Sequence, residues 1–348
     1  MTRRRSFVIA LIATVLTVAC GGTTTPAAPA EEAARTSLQM DMTPSSTAAT
    51  VLTNAKPIAD YLSKEIGVPV VAKVPTSYAA VVEDLTSGNA DIGWSGAVAY
   101  EAAKQKSGVE ALTASQRCLP PTVYPDQPQG KTPNPDSATC KPQSSYPSMI
   151  ICNSSVTYTG DRADPKALTQ LKGKKFAFGD PISGSSSIWP KYYMISNGVN
   201  PDSDLRAVSI SSQSAIATAV YNGTVDCGAM FGDARVGGPS KSFPDILTKT
   251  KIVFLAPQLV PGDPQFVRSK LNSAQKEKVK KAMIKLGTDP TMVAALGALY
   301  GIAGMQPAND ADYGLIKTYA DKVKPGLLGD AVAPPPSPSP SPAASPTK

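Results

Sequence analysis

From residue 37 onward, short apolar runs alternate with stretches in which apolar residues recur every three to four positions, so the pattern predicts strands and helices in turn. Residues 38–42 read as a strand. Leu52, Ala55, Ile58, Ala59, Leu62 and Ile66 then share one helical face, which Gly67 and Pro69 end. Pro57 within this stretch predicts a kink or a helix that begins there. A strand at 70–74, a helix carrying Val81, Val82 and Leu85 up to Gly88, and a strand at 90–94 complete a βαβαβ succession, which requires a parallel sheet.

Residues 105–145 break the rhythm as a proline-rich insertion, and the alternation resumes at 149–152. Strands at 176–178, 225–230 and 252–255 then alternate with helices at 188–196 and 213–221, which stop at Asn197-Gly198 and Asn222-Gly223. Helices near 273–286, 290–299 and 310–323 finish the chain. The expected fold class is α/β, with two lobes of mixed, mostly parallel sheets and a ligand cleft at the carboxyl ends of the strands. One lobe comprises 37–146 with 256–330, and the other 147–255.

The ends are not globular in pattern. Arg3, Arg4 and Arg5 precede an apolar run over 7–19 and then Cys20, the layout of an export leader over 1–19. That run is shorter than the roughly 18 residues a permanent membrane helix needs. Leu16-Thr17-Val18-Ala19-Cys20 resembles the lipobox of bacterial lipoproteins, with Thr17 where an aliphatic residue is usual, which implies acylation of Cys20 and a lipid anchor. Residues 20–36 have the composition of a flexible tether, and the Pro-Ser repeats of 331–348 cannot bury apolar area.

Composition narrows the chemistry. The 348 residues are 42% hydrophobic and 6% aromatic with a net charge of +7. Loss of three arginines with the leader lowers Lys+Arg from 34 to 31 against 27 Asp+Glu, a net of +4, too mild and too scattered for nucleic acid. Histidine is absent, which removes the Ser-His-Asp triad, the Cys-His dyad and nearly every common zinc site. Neither an enzyme, a metal site nor a cofactor is expected. Beyond Cys20 an even set remains, Cys118, Cys140, Cys152 and Cys227, which in an exported chain favours disulfides. Of three pairings we favour Cys118 with Cys140, closing a loop with six prolines, and Cys152 with Cys227, which both fall in predicted strands.

The densest candidate site is Gly179-Asp180-Pro181-Ile182-Ser183-Gly184-Ser185-Ser186-Ser187, between a strand and a helix with Pro190 in its first turn. Four hydroxyls and several backbone N–H groups at a helix N-terminus favour an anion. The run FAFGDPISGSSSIWP resembles the anion-binding loop of phosphate, phosphite and phosphonate ABC transporter substrate-binding proteins, whose usual form is GDPNSTSG, three residues and Pro. PIADYLSKEIGVPV, SYAAVVEDLTSGNADIGWSG, YPSMII, AIATAVYNGTVDCGAMFGD and LVPGDPQFVRSKL agree in order, over about 37–325.

The resemblance implies a periplasmic-binding-protein clamshell (type II) of two α/β lobes joined by two crossing strands. It implies that Ser183, Ser185 and Ser186 grip phosphorus oxygens, with Gly184 where a Thr is usual and Ser186 where a Gly is usual. Tyr78 and Tyr146 match ligand-facing tyrosines, Gln213 stands where a histidine is common, and Asp233 and Asp263 match acidic positions. Two carboxylates about 4 Å apart repel by roughly 4 kcal/mol at an effective dielectric near 20, so something must offset them. One answer is the ammonium of an aminoalkylphosphonate; the other is a P–OH that donates to Asp263. The resemblance further implies a monomeric extracytoplasmic lipoprotein with a small phosphorus oxyanion as ligand and with ABC permease subunits and a cytoplasmic ATPase as partners. A clamshell sensor that signals to a membrane partner is the alternative.

Overall fold

The computed structural model describes residues 32–118 and 142–329. The expected leader, Cys20, the tether up to residue 31, Cys140 with its pairing to Cys118, and the tail lie outside the described residues.

The chain opens with β1 (Leu38–Met42), α1 (Ala48–Ile66), β2 (Val70–Lys73), α2 (Tyr78–Ser87), β3 (Ile92–Trp94), α3 (Ala97–Ser107) and β4 (Glu110–Arg117) among the described residues. It continues through β5 (Ser145–Tyr146), β6 (Ser148–Asn153), β7 (Lys175–Phe178), α4 (Trp189–Ser196), β8 (Arg206–Ser209), α5 (Gln213–Tyr221) and β9 (Cys227–Phe231). Last come α6 (Gly238–Ser242), α7 (Ile246–Lys249), β10 (Thr250–Leu255), β11 (Val260–Pro261), β12 (Pro264–Val267), α8 (Ser273–Thr288), α9 (Val293–Tyr300), β13 (Ile302–Pro307) and α10 (Leu315–Val323).

Two open sheets result, in the orders β13-β4-β12-β3-β1-β2 and β10-β6-β9-β7-β8. The strands read from the βαβ pattern pair in parallel, β1 with β2 and β3 and β7 with β9, and β7 also pairs in parallel with β8, a mostly exposed edge strand that the apolar pattern did not predict. The remaining ladders are antiparallel, which makes the sheets more evenly mixed than the expected mostly parallel ones. The cause lies in the crossovers: the chain leaves the first sheet after β4 through β5 and returns from β10 through β11. These two short strands pair antiparallel as a ribbon between the sheets.

The 105–145 insertion is narrower than its composition predicts. Residues 110–117 form β4, flanked on both sides by antiparallel partners. Its inward positions are partly polar: Thr113 donates to Gln265 Oε1 at 2.8 Å, and Gln265 Nε2 donates to Ser115 at 2.8 Å, so a buried polar ladder stands where an apolar run would have announced a strand. In α1, Thr47 caps the start and Gly67, at φ 86°, closes the end, so Pro57 sits inside the helix and does not begin it. Val51 takes the inward place expected of Leu52, which is 40% exposed.

One apolar cluster lies between α1, α8, α9 and the first sheet, and another between α5, α7 and the second sheet. A third runs from Val81 and Tyr100 through Ile150 and Phe176 to Trp189, and so joins the two halves. Helix α10, expected in the first lobe, packs on α4 of the second as well: Tyr319 stacks on Tyr192 at 3.8 Å between ring centroids and lies 4.6 Å from Trp189. Residues 32–36, expected in the tether, are docked. Arg268 binds both oxygens of Glu32 at 2.7 Å, and Arg35 exchanges backbone hydrogen bonds with the Gln275 amide. The Cys152–Cys227 disulfide is present, between residues directly opposite on β6 and β9.

Candidate functional site

A cleft of about 620 Å³ opens between the two sheets, at the carboxyl ends of β1, β3, β7 and β9. Tyr78, Tyr146, Ser183, Gly184, Gln213, Asp233 and Asp263 line it, bringing together residues spread over 186 positions. Thr43, Trp94, Arg117 and Tyr300 line it too, and the sequence pattern had singled out none of them for the site.

Each side chain is set by the start or end of an element. Tyr78 opens α2, where Ser77 caps the helix and the Tyr78 N–H donates to Asp180 Oδ2 at 3.1 Å. Asp180 follows β7, so this bond links the two lobes, while its Oδ1 accepts from Ile182 N–H at 3.1 Å. Burial raises the Asp180 carboxyl above the usual range against these two hydrogen bonds. Burial, with the nearby carboxylates, also lifts the Tyr78 and Tyr146 hydroxyls well above theirs, so both remain protonated donors throughout the ordinary pH range.

The serine loop forms a single π turn, Gly184–Ile188, continuous with α4 and capped by Ser183. Ser183 and Gly184 face the cleft, but Ser185 and Ser186 are not among its lining residues. Ser185 Oγ donates to Gln213 Oε1 at 3.4 Å, and Ser186 Oγ donates to Ser183 Oγ at 2.7 Å. Ser186 also fills the space beside Gly179, where a Cβ would stand 1.9 Å from its hydroxyl. Gly184 explains itself similarly: a Cβ there would meet Val260 Cγ1 at 2.8 Å, which leaves no room for the usual Thr.

Gln213 opens α5, and its Oε1 accepts from Phe231 N–H at 2.7 Å. A backbone N–H can only donate, so this bond fixes the amide with its NH₂ as the free end, a donor that does not titrate.

Neither carboxylate stands alone. Arg235 grips Asp233 through Nε at 2.9 Å and Nη2 at 2.6 Å, both side chains being fully buried. Arg117 Nη2 donates to Asp263 Oδ2 at 2.6 Å, and Tyr146 donates to Oδ1 at 3.0 Å. The Arg117 guanidinium also lies 4.8 Å from the Tyr146 ring centroid and donates from Nε to Tyr300 O at 3.2 Å. Burial opposes its charge, but the Asp263 carboxylate more than offsets this and holds its pKa above the usual value. Both arginines escaped the sequence reading. Arg117 had been placed in the insertion, and its partner is 146 residues away; Arg235 is two residues from Asp233, a spacing that could have flagged it.

Two α/β sheets joined by a crossing ribbon around a donor-lined cleft define a clamshell ligand-binding protein. The family model of the ABC transporter, phosphonate, periplasmic substrate-binding protein matches residues 40–313, and the chain belongs to that family. It is 26% identical to the phosphonates-binding periplasmic protein of Escherichia coli K12 over 73% of this chain and 67% of the relative. It is 26% identical to the phosphate-import protein PhnD of Mycolicibacterium smegmatis over 62% of each chain. A binding-protein component of an ABC phosphonate transporter from Pseudomonas aeruginosa superposes with TM-score 0.66 at 20% identity, covering 82% of this chain and 87% of that one. PhnD1 of Prochlorococcus marinus MIT 9301, solved with methylphosphonate, gives 0.64 at 16% identity over 83% and 99%. The fold is thus that of type II periplasmic binding proteins, and the family is one of extracytoplasmic substrate-binding components, not of enzymes. Among the described residues no helix is long and apolar enough to cross a membrane.

Proposed function

We propose that this protein captures a phosphonate or a related phosphorus oxyanion, such as phosphite or phosphate, between its lobes and hands it to the permease subunits of an ABC importer driven by a cytoplasmic ATPase. The observation that carries the reading is the set of permanent donors in the cleft: the hydroxyls of Tyr78 and Ser183 and the amide of Gln213, contributed from both lobes, while Asp263 takes the single Tyr146 proton. Closure around a ligand would complete its hydrogen bonding from two sides, so ligand and closed form stabilise each other. Ser185 and Ser186 act by bracing Gln213 and Ser183.

Isothermal titration with methylphosphonate, phosphite and phosphate, with sulfate as the control, tests the reading. Binding of at least one phosphorus compound, weakened about tenfold or more in Tyr78→Phe, is the expected result. Absence of binding for all of them sinks it.

In the same reading Cys20 carries the lipid, the protein is a monomer, and the lobes divide at the crossing ribbon. Metabolic labelling with a fatty acid, lost in Cys20→Ala, checks the first of these. Size-exclusion chromatography with light scattering checks the second.

A further inference from the structure

Four charged residues line the cleft: Arg117, Asp233, Lys241 and Asp263. The two acids are the only cleft-lining groups among the described residues that could pair with a ligand cation, and each is already matched by an arginine of the chain. Arg235 occupies both oxygens of Asp233, and Arg117 and Tyr146 take one oxygen each of Asp263. Arg117 is nine-tenths buried, and its Nη1 has no hydrogen-bond partner, as is also true of the Trp94 indole Nε1. Lys241, exposed at the edge, forms no salt bridge within the described residues. The four cleft-lining charges cancel, and Arg235 behind Asp233 tips the balance to one positive charge, with unsatisfied donors at Arg117 Nη1 and Trp94 Nε1 and both carboxylates matched.

Resting on the proposed phosphorus-oxyanion site, we infer that Arg117 and Arg235 close both carboxylates to the ligand, so the substrate class is a phosphorus oxyanion with an uncharged substituent, and Arg117 is the residue that sets this preference. An ammonium brought to Asp263 would lie beside the Arg117 guanidinium, a like charge in a buried site where water screens little. It would also have to share an acceptor that already has two donors. An uncharged alkyl or hydroxyalkyl group meets neither cost. Both offsets foreseen for the acids, a ligand ammonium and a P–OH, are thus supplied instead by the protein.

The test compares two ligands of equal size, n-propylphosphonate and 2-aminoethylphosphonate, by titration calorimetry on the full-length protein in detergent. The wild type should bind n-propylphosphonate at least about tenfold more tightly, a difference of about 1.4 kcal/mol. Arg117→Gln, which uncovers the Asp263 charge, should narrow or invert that ratio about tenfold. Asp263→Asn, which uncovers the Arg117 charge, should tighten n-propylphosphonate several-fold, and this variant serves even where Arg117→Gln does not fold. Equal or tighter wild-type binding of 2-aminoethylphosphonate overturns the inference, as does loss of n-propylphosphonate by Asp263→Asn, since the carboxylate would then hold the ligand itself. Methylphosphonate and phosphate are titrated alongside. If they and both longer ligands fail to bind, the oxyanion reading falls together with this one; if they bind while the ratio is reversed, only the substituent preference falls.

Discussion

Gly184 sits against Val260, whose Cγ1 would stand 2.8 Å from a Cβ added there. Overpacking of this kind costs about 1–3 kcal/mol. Gly184→Ala should therefore lower the melting temperature, and Val260→Ala in the same chain should recover part of the loss; simple additivity of the two would show that they do not touch. Asp41, on β1, is fully buried and its oxygens accept no hydrogen bond. Burial, and then the neighbouring Asp84, push its carboxyl up to about 7, with Lys73 opposing. An unfolded Asp ionises near ~3.9. The folded state is thus favoured while the group stays protonated, and stability should fall as pH rises from about 4 to about 7. Asp41→Asn should flatten that slope in thermal melts; an unchanged slope would place its origin elsewhere. At this scale the sequence was informative about the motif and silent about charge. Ser183, Tyr78, Tyr146 and Gln213 were found because local runs carry them, whereas the pairing of Arg117 with Asp263 exists only once β4 and the turn before β12 meet.

Elements decide how the cleft is held. The N-terminus of α2 belongs to one lobe and the carboxylate that caps its first residue to the other, so Asp180 links a helix start to the loop of the anion site. Removing it leaves two buried N–H groups unpaired, each costing about 1–3 kcal/mol. Asp180→Ala should weaken phosphonate binding about tenfold or more and raise the radius of gyration in small-angle scattering, while Asp180→Asn, whose single amide oxygen can accept from only one of the two N–H groups, should fall between it and the wild type. Equal effects of the two variants would make the bond irrelevant to closure. The parallel strands were legible because β3 and β7 run Ile92-Gly93-Trp94 and Phe176-Ala177-Phe178 without a polar break, as doubly covered strands do, and β1 alternates Leu38, Met40 and Met42 with Gln39 and Asp41. Strand β4 was hidden because Thr113 and Ser115 satisfy one another through Gln265 inside the sheet, and no periodicity rule sees a buried polar ladder.

For the whole molecule, the clamshell was legible from the order of motifs, but the joints were not. The ribbon β5–β11 is two residues per strand, too short to leave a pattern, and α10 shows an apolar stripe without revealing that it rests on both α3 and α4. The disulfide ties β6 to β9 across 75 residues of the second lobe. Closing a loop of that length typically stabilises by about 2–4 kcal/mol. Cys152→Ala with Cys227→Ala should thus lower the denaturation midpoint while leaving ligand selectivity unchanged, because neither cysteine lines the cleft. The docking of residues 32–36 has a mechanical consequence. Glu32 is clasped by Arg268, whose guanidinium also holds Asp91, and the Glu32 carboxyl is held down to about 2 by that hydrogen bond. A pull applied at Glu32 would therefore reach the first sheet through Arg268 and Asp91 and not through the β5–β11 ribbon. The strands β6 to β10 of the other sheet would stay outside that path.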